Sequence, residues 1–221
     1  MASFAYDWRG KIETAILPNY LAPPEIDNTL GNYATADFMP QTVRLDMISE
    51  NRSLDIVDKS FIDVDTSVYP VGPQWDRSRV PVKADMEAIY YRLLDHIREI
   101  NTEPERWAVE LRGLSNNFLV REGRTINGVQ ATVGQFMDWH MNCTMAVSQR
   151  RKLAAYLELS DPADYDGGVF EVFAGRYSES LPNGKGTLYL VPTYRYIRMS
   201  KITRGIKRFL LVWIYGAQKL R

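Results

Sequence analysis

The sequence predicts a mainly β, α+β protein, a sandwich or barrel of short strands with one helix packed on its outside. Three observations lead there. At least six short runs rich in aromatic and β-branched residues follow residue 105, each bounded by Gly, Asn, Asp or Pro. One long segment before them, ADMEAIYYRLLDHIREIN, carries apolar residues at helical spacing. Strands gathered after a single helix, instead of alternating with helices, leave that helix an outer face of the sheet to cover.

Residues 1–42 are rich in Pro, Asn, Ala and Tyr. Prolines at 18, 23, 24 and 40 argue against a long helix or a central strand, because proline lacks the N–H and crowds the preceding turn. The expectation is an extended N-terminal arm over 1–42, with at most a short turn of helix, ahead of one domain over 43–221. Phe4, Tyr6, Trp8, Ile16, Leu17, Tyr20 and Leu21 make the arm too apolar to stand in water. It either folds back on its own domain or packs on a neighbouring subunit.

Residues 43–70 mix β-branched residues with charges and read as strands joined by a short turn. Pro70, Pro73 and Pro81 punctuate a loop after them. In the helix, Met86, Ile89, Tyr90, Leu93, Ile97 and Ile100 mark one apolar face, and His96 lies at its boundary. The strands then follow as WAVELRGL, GVQATVGQF, RKLAAYLEL, GGVFEVFAG, GTLYLVP and KRFLLVWIYG. Alternation along the last of these makes Phe209 and Trp213 core residues.

Composition narrows the function classes. With 221 residues and 45% apolar content the chain can bury a substantial core. Its 27 basic residues balance 27 acidic ones, which argues against a specific nucleic-acid binder. Cys143 is the one cysteine, so no intrachain disulfide forms and a reducing cytoplasm fits. No charged-then-apolar leader opens the sequence, and the run FLLVWIYGA is too short to span a bilayer as a helix. The expectation is a protein that is neither secreted nor membrane-bound.

Several candidate sites are weak. Ser115, Ser148 and Ser160 have no histidine in a triad-like arrangement, and Gly184-Lys185-Gly186 lacks a phosphate-loop context. Arg150-Arg151-Lys152 reads as a solvated turn, with partner or phosphate contact as the alternative.

The ordered segments QATVGQFMDWH, RRKLAAYLELSDPADYDGGVFEVF, GKGTLYLVPTY and TRGIKRFLLVWIYG carry more. Between residues 130 and 216 this order resembles the iron(II)/2-oxoglutarate dioxygenases of the prolyl-4-hydroxylase type. The resemblance implies a double-stranded β-helix, a jelly-roll or cupin-like barrel. It also implies an iron site: a histidine and a carboxylate two residues apart on one strand, with a second histidine from a late strand. His140 matches the first ligand, Asn142 stands at the carboxylate and Ile197 at the second histidine. The chain has two histidines, and the other, His96, is on the upstream helix.

The two-histidine site therefore cannot be assembled from this chain. Asp138, two residues before His140, would share its face on a regular strand and could form a partial rescue. Lys207 stands where the family anchors the distal carboxylate of 2-oxoglutarate, and Val133 where it usually has a tyrosine on the strand before the histidine.

The resulting expectation is a pseudo-enzyme with no catalytic residues and no cofactor. His140, Asn142 and Ile197 would be vestigial metal positions, and Lys207 a vestigial co-substrate position. Such a protein would serve as a structural or binding component of a larger assembly, engaging protein partners through its arm and forming a homo-oligomer. Dioxygenases of this type are common in large marine bacteriophages and bacteria, so the resemblance extends to a virion neck, tail or head-associated component. The alternative is an active dioxygenase that uses Fe(II) and 2-oxoglutarate to hydroxylate a prolyl or other peptide side chain.

Overall fold

A computed structural model describes residues 3–6, 12–33, 39–40, 76–79, 84–102, 107, 127–143, 151–173 and 177–215. The strands expected within 43–70, most of WAVELRGL, and Ser115 and Ser148 lie outside these residues. The described elements are almost all β, with two α-helices, α1 (Pro23–Tyr33) and α2 (Ala84–Thr102).

An eight-stranded antiparallel sheet forms the main layer. Its spatial order is β1 (Ser3–Tyr6), β2 (Ile12–Leu17), β11 (Leu188–Pro192), β7 (Arg151–Glu158), β14 (Lys207–Tyr215), β5 (Asn127–Ala131), β4 (Asp76–Arg79) and β3 (Met39–Pro40). Facing it is a four-stranded antiparallel sheet ordered β10 (Ser178–Ser180), β9 (Phe170–Phe173), β12 (Ile197–Met199) and β6 (Met137–His140). A small ladder joins β8 (Tyr165–Asp166) to β13 (Arg204–Gly205).

The two faces of the main sheet bury different sets of side chains, as alternation along a strand requires. On β7, Leu153, Ala155 and Leu157 join Leu188, Leu190, Leu210 and Val212 under the helices, where Ile89, Leu93 and Ile97 of α2 meet them. Ala154 and Tyr156 turn to the other side and join Tyr189, Phe209, Phe170 and Ile197 between the sheets. Fully burying an aliphatic or aromatic side chain contributes about 1.5–3 kcal/mol, so two cores sharing β7 and β14 account for the compact packing there. The expected apolar face of α2 is present at Ile89, Leu93 and Ile97, with Ile100 partly buried; Phe209 is buried and Trp213 half-buried. His96 is half-buried, its ring centroid 5.5 Å from that of Tyr20.

The N-terminal region is more ordered than its prolines suggest. Ile12–Leu17 is an interior strand, paired with β1 on one side and β11 on the other. Pro18 follows the strand, while Pro23 and Pro24 open α1, where a missing N–H costs no helical bond. Glu25 accepts from Ala22 N at 2.8 Å, half of a capping box. Proline excludes a strand or helix only from its own interior position, and these prolines stand at the boundaries. Ile16, Leu21 and Ile26 are buried against the domain, so this stretch folds back on its own chain.

Candidate functional site

The space between the two sheets, with its two ends, holds four of the residues that the sequence singles out: His140, Asn142, Ile197 and Lys207. On the smaller sheet, His140 of β6 lies directly opposite Ile197 of β12, so both side chains point inward. Ile197 is fully buried among apolar neighbours. The His140 ring is half-buried, and its Nδ1 lies 2.8 Å from the Asp138 carbonyl oxygen, to which the neutral ring donates. Burial holds the His140 pKa below the ordinary histidine value, against a weaker upward pull from Asp138.

Asp138 does not share that inward face. Two residues lie between Met137 and His140, while one lies between Ile197 and Met199 opposite them. The extra residue is a bulge, and it breaks the alternation on which the shared-face expectation rested. Asp138 is exposed and its carboxylate accepts from Trp139 N at 2.7 Å. The Trp139 ring lies 6.1 Å from that of Phe173, with the Arg198 guanidinium 4.8 Å above it.

Asn142 is buried and committed elsewhere. Its Nδ2 donates to the Tyr156 hydroxyl at 3.0 Å, and its Oδ1 accepts from Trp213 Nε1 at 3.1 Å. Its backbone N–H donates to Thr193 O at 2.9 Å. Desolvation pushes the Tyr156 hydroxyl well above the usual tyrosine range, despite the Asn142 bond. The amide thus fastens the end of β6 to β7 and β14 through two aromatic side chains.

At the other end of this space, Lys207 is fully buried and sits 2.6 Å from Glu158 Oε1, itself on the inward face of β7. Its directed hydrogen bond goes to Gly168 O at 2.6 Å, and its ammonium lies 4.4 Å from the Phe170 ring centroid. Burial lowers the lysine pKa and raises that of Glu158, while each charge pulls the other the opposite way. Glu158 Oε2 and the buried Tyr165 hydroxyl find no hydrogen-bond partner among the described residues. Around them Phe170, Phe209, Tyr156 and Tyr189 pack as an aromatic cluster, with Phe170 centroids 4.9 Å from Tyr156 and 5.1 Å from Phe209.

The turn before β9 is shaped for this lysine. Gly168 has φ +63°, and a Cβ there would lie 2.9 Å from Lys207 Cδ and 2.4 Å from Ile202 Cδ1. The neighbouring Gly167 leaves no room at all, since its Cβ would stand 1.9 Å from the Lys201 carbonyl oxygen.

The remaining sequence candidates are structural. Val133 is 61% exposed in the turn after β5 and does not occupy an inward strand position, which Val129 and Ala131 fill instead. Arg151 opens β7 with its guanidinium 3.8 Å over the Trp213 ring, and Lys152 is buried, so these two residues are not a solvated turn. Ser160 accepts from Arg208 N and donates to Ile206 O. Gly186 closes its turn by accepting from Tyr20 N and Leu21 N, which docks the N-terminal stretch.

Three kinships bear on this geometry. A prolyl-4-hydroxylase of Pseudomonas putida superimposes with a TM-score of 0.60 at 14% identity, covering 93% of this chain and 94% of that one. The fold is that of the prolyl-4-hydroxylases. HygX of Streptomyces hygroscopicus, solved with nickel and 2-oxoglutarate bound, shares this prolyl-4-hydroxylase fold at a TM-score of 0.57 and 12% identity, covering 95% of this chain and 85% of that one. A PKHD-type hydroxylase of Synechococcus sp. (strain CC9902) is 31% identical over 103 residues, 46% of this chain and 46% of that relative. The match thus spans less than half of that relative's length. No family model matches the chain.

These kinships correct the expectation that the chain has no cofactor. A hydroxylase stands among the sequence relatives, and a protein of this fold has been solved with nickel and 2-oxoglutarate bound, so nothing in these comparisons gives ground for excluding such groups. The residues at the expected positions do not themselves fit the groups. Asn142 has both amide ends bonded, Ile197 offers no donor atom, and Lys207 already faces a carboxylate. Among the described residues no three His, Cys, Asp or Glu side chains gather as metal ligands.

Sequence reasoning missed Glu158 and the roles of Tyr156 and Trp213. A signal was present: in RKLAAYLEL, Glu158 is the single acid, and period-two spacing puts it on the inward face with Tyr156.

Proposed function

We propose that this protein is a non-catalytic version of the prolyl-4-hydroxylase fold that works as a binding or structural component of a larger assembly. One observation carries the reading: the Asn142 amide, at the position expected for a metal-binding carboxylate, is used to hold Tyr156 and Trp213. Ile197 supports it, since an aliphatic side chain facing His140 supplies no electron pair. The test is co-substrate consumption by the purified chain with iron(II), ascorbate and 2-oxoglutarate. No succinate above the protein-free rate is expected; stoichiometric, repeated turnover overturns the reading.

The assembly part is tested by native mass spectrometry of the full chain and of a form lacking residues 1–10. A homo-oligomer that dissociates on this truncation is the expected result. A monomer in both forms counts against the N-terminus as an assembly element. A virion component is the particular assembly we favour, and co-purification with phage particles would check it.

A second reading rests on the hydroxylase relative from Synechococcus. In it the chain is an active dioxygenase acting on a peptide, with His140 joined by ligands other than residues 142 and 197. The double variant Asn142→Asp, Ile197→His separates the two. Iron-dependent turnover that appears only in the double variant supports the non-catalytic reading, and turnover already present in the natural chain supports the second.

A further inference from the structure

We propose that the cavity between the end of α1 and the turn after β7 binds a small zwitterion, a free α-amino acid with an aliphatic side chain. The inference goes beyond the proposed function, because this cavity lies on the helical side of the main sheet and not between the sheets.

Alternation along the strands places it there. Lys207 points between the sheets, so Arg208 turns to the helical side with Leu210 and Val212. Leu159 follows Leu153, Ala155 and Leu157 to the same side. The cavity measures about 340 Å³, and its apolar lining is Leu30, Leu159 and Ile206. Four charged side chains, Lys185, Arg208, Asp161 and Asp164, stand around that lining. Among the described residues, no ion pair joins either cation to either carboxylate. Arg204, the other cation beside Asp164, is committed to Asp166 and to the Ala163 carbonyl. Arg208 Nε donates to Gln130 at 2.9 Å, which fixes the guanidinium and leaves its Nη groups for a ligand.

The rim is held by the backbone. Gly186 N donates to Glu158 O at 2.8 Å and Thr187 N to Gly184 O at 3.0 Å, which set the turn that carries Lys185. Asp161 caps the single helical turn Pro162–Asp164 by accepting from Ala163 N. Gly205, at φ +72°, packs so closely on that turn that a Cβ would stand 1.9 Å from the Asp164 carbonyl oxygen. Charges fixed in advance lose little freedom when a ligand arrives.

Opposite charges that share a cavity without pairing leave both signs to be satisfied. A bare anion would meet the two aspartates, and a bare cation would meet Lys185 and Arg208. An amino acid answers both: its carboxylate suits the guanidinium and the lysine, and its ammonium suits the aspartates. Its side chain covers the aliphatic lining, and the volume lies at the small end of ligand pockets.

The experiment titrates L-leucine by calorimetry into the metal-free full chain, with thermal unfolding in parallel. Three probes run beside it: isocaproate, which lacks the ammonium, isoamylamine, which lacks the carboxylate, and inorganic phosphate. Leucine should bind with a Kd of about 1 mM or tighter and raise the melting temperature. Each of the other three should bind at least about tenfold more weakly. Lys185→Ala and Asp164→Asn should each weaken leucine about fivefold or more. Both side chains are exposed, so without ligand both variants should melt with the natural chain. No saturable leucine binding, phosphate binding as tight as that of leucine, or leucine affinity unchanged in either variant overturns the proposal.

Discussion

At position 142 an amide performs a task that a carboxylate could share. Its two partners both have hydrogens to give, the Trp213 indole N–H and the Tyr156 hydroxyl, although Tyr156 at present accepts. Asn142→Ala removes both of these hydrogen bonds, and taking away one partner of a buried polar group costs about 1–3 kcal/mol. We expect Asn142→Ala to lose about 2–4 kcal/mol in urea unfolding at neutral pH. Asn142→Asp should lose less, because the hydroxyl can rotate to donate and both partners then meet an acceptor. Equal losses for the two would show that the hydrogen bonds matter less than the shape. Gly168→Ala is expected to be costly for a different reason: a left-handed φ and a Cβ pressed on Ile202 and Lys207. The loss should be about 1–3 kcal/mol, read by the same unfolding measurement.

Between elements, the contact of α1 with α2 depends on a small group around Arg92. Its guanidinium lies 2.9 Å from Glu25 Oε1 and 4.9 Å from the Tyr20 ring centroid. Burial works against the Glu25 charge, but the Arg92 and Ala22 bonds outweigh it and hold the carboxyl below its ordinary value. A carboxylate with a lowered folded pKa adds stability that is present above its unfolded pKa. That stability is lost as pH falls through the folded value. Arg92→Met should therefore flatten the acid side of the stability curve below pH about 4.5. At this exposure the effect is small, about 0.5 kcal/mol, and denaturant titrations from pH 3 to 7 would read it.

Elements with one strong periodic signal were legible in advance. The α2 face, β7, β9, β11 and β14 all fall where alternation or helical spacing put them. The first strand and helix were not, because Pro18, Pro23 and Pro24 stand beside element interiors and not within them. The Asp138 placement failed because a bulge is invisible to a simple two-residue repeat. The positions of His140, Asn142, Ile197 and Lys207 could be named from motif order. Their partners could not, since Tyr156, Glu158 and Trp213 meet them only after distant strands pair.

On the scale of the whole molecule, the main sheet separates two apolar layers. β7 is its most enclosed strand, with β11 and β14 on its flanks and buried side chains above and below. Solvent can reach the peptide groups of Leu153–Leu157 only if the helical cover and the facing sheet both let go. Those N–H groups should thus be the slowest to take up deuterium, exchanging only through global opening, whereas the peripheral pairing of β1 with β2 should exchange through local fraying. Mass-resolved exchange over hours to days would rank them, and early labelling of Leu153–Leu157 would mean that one layer can part while the other holds.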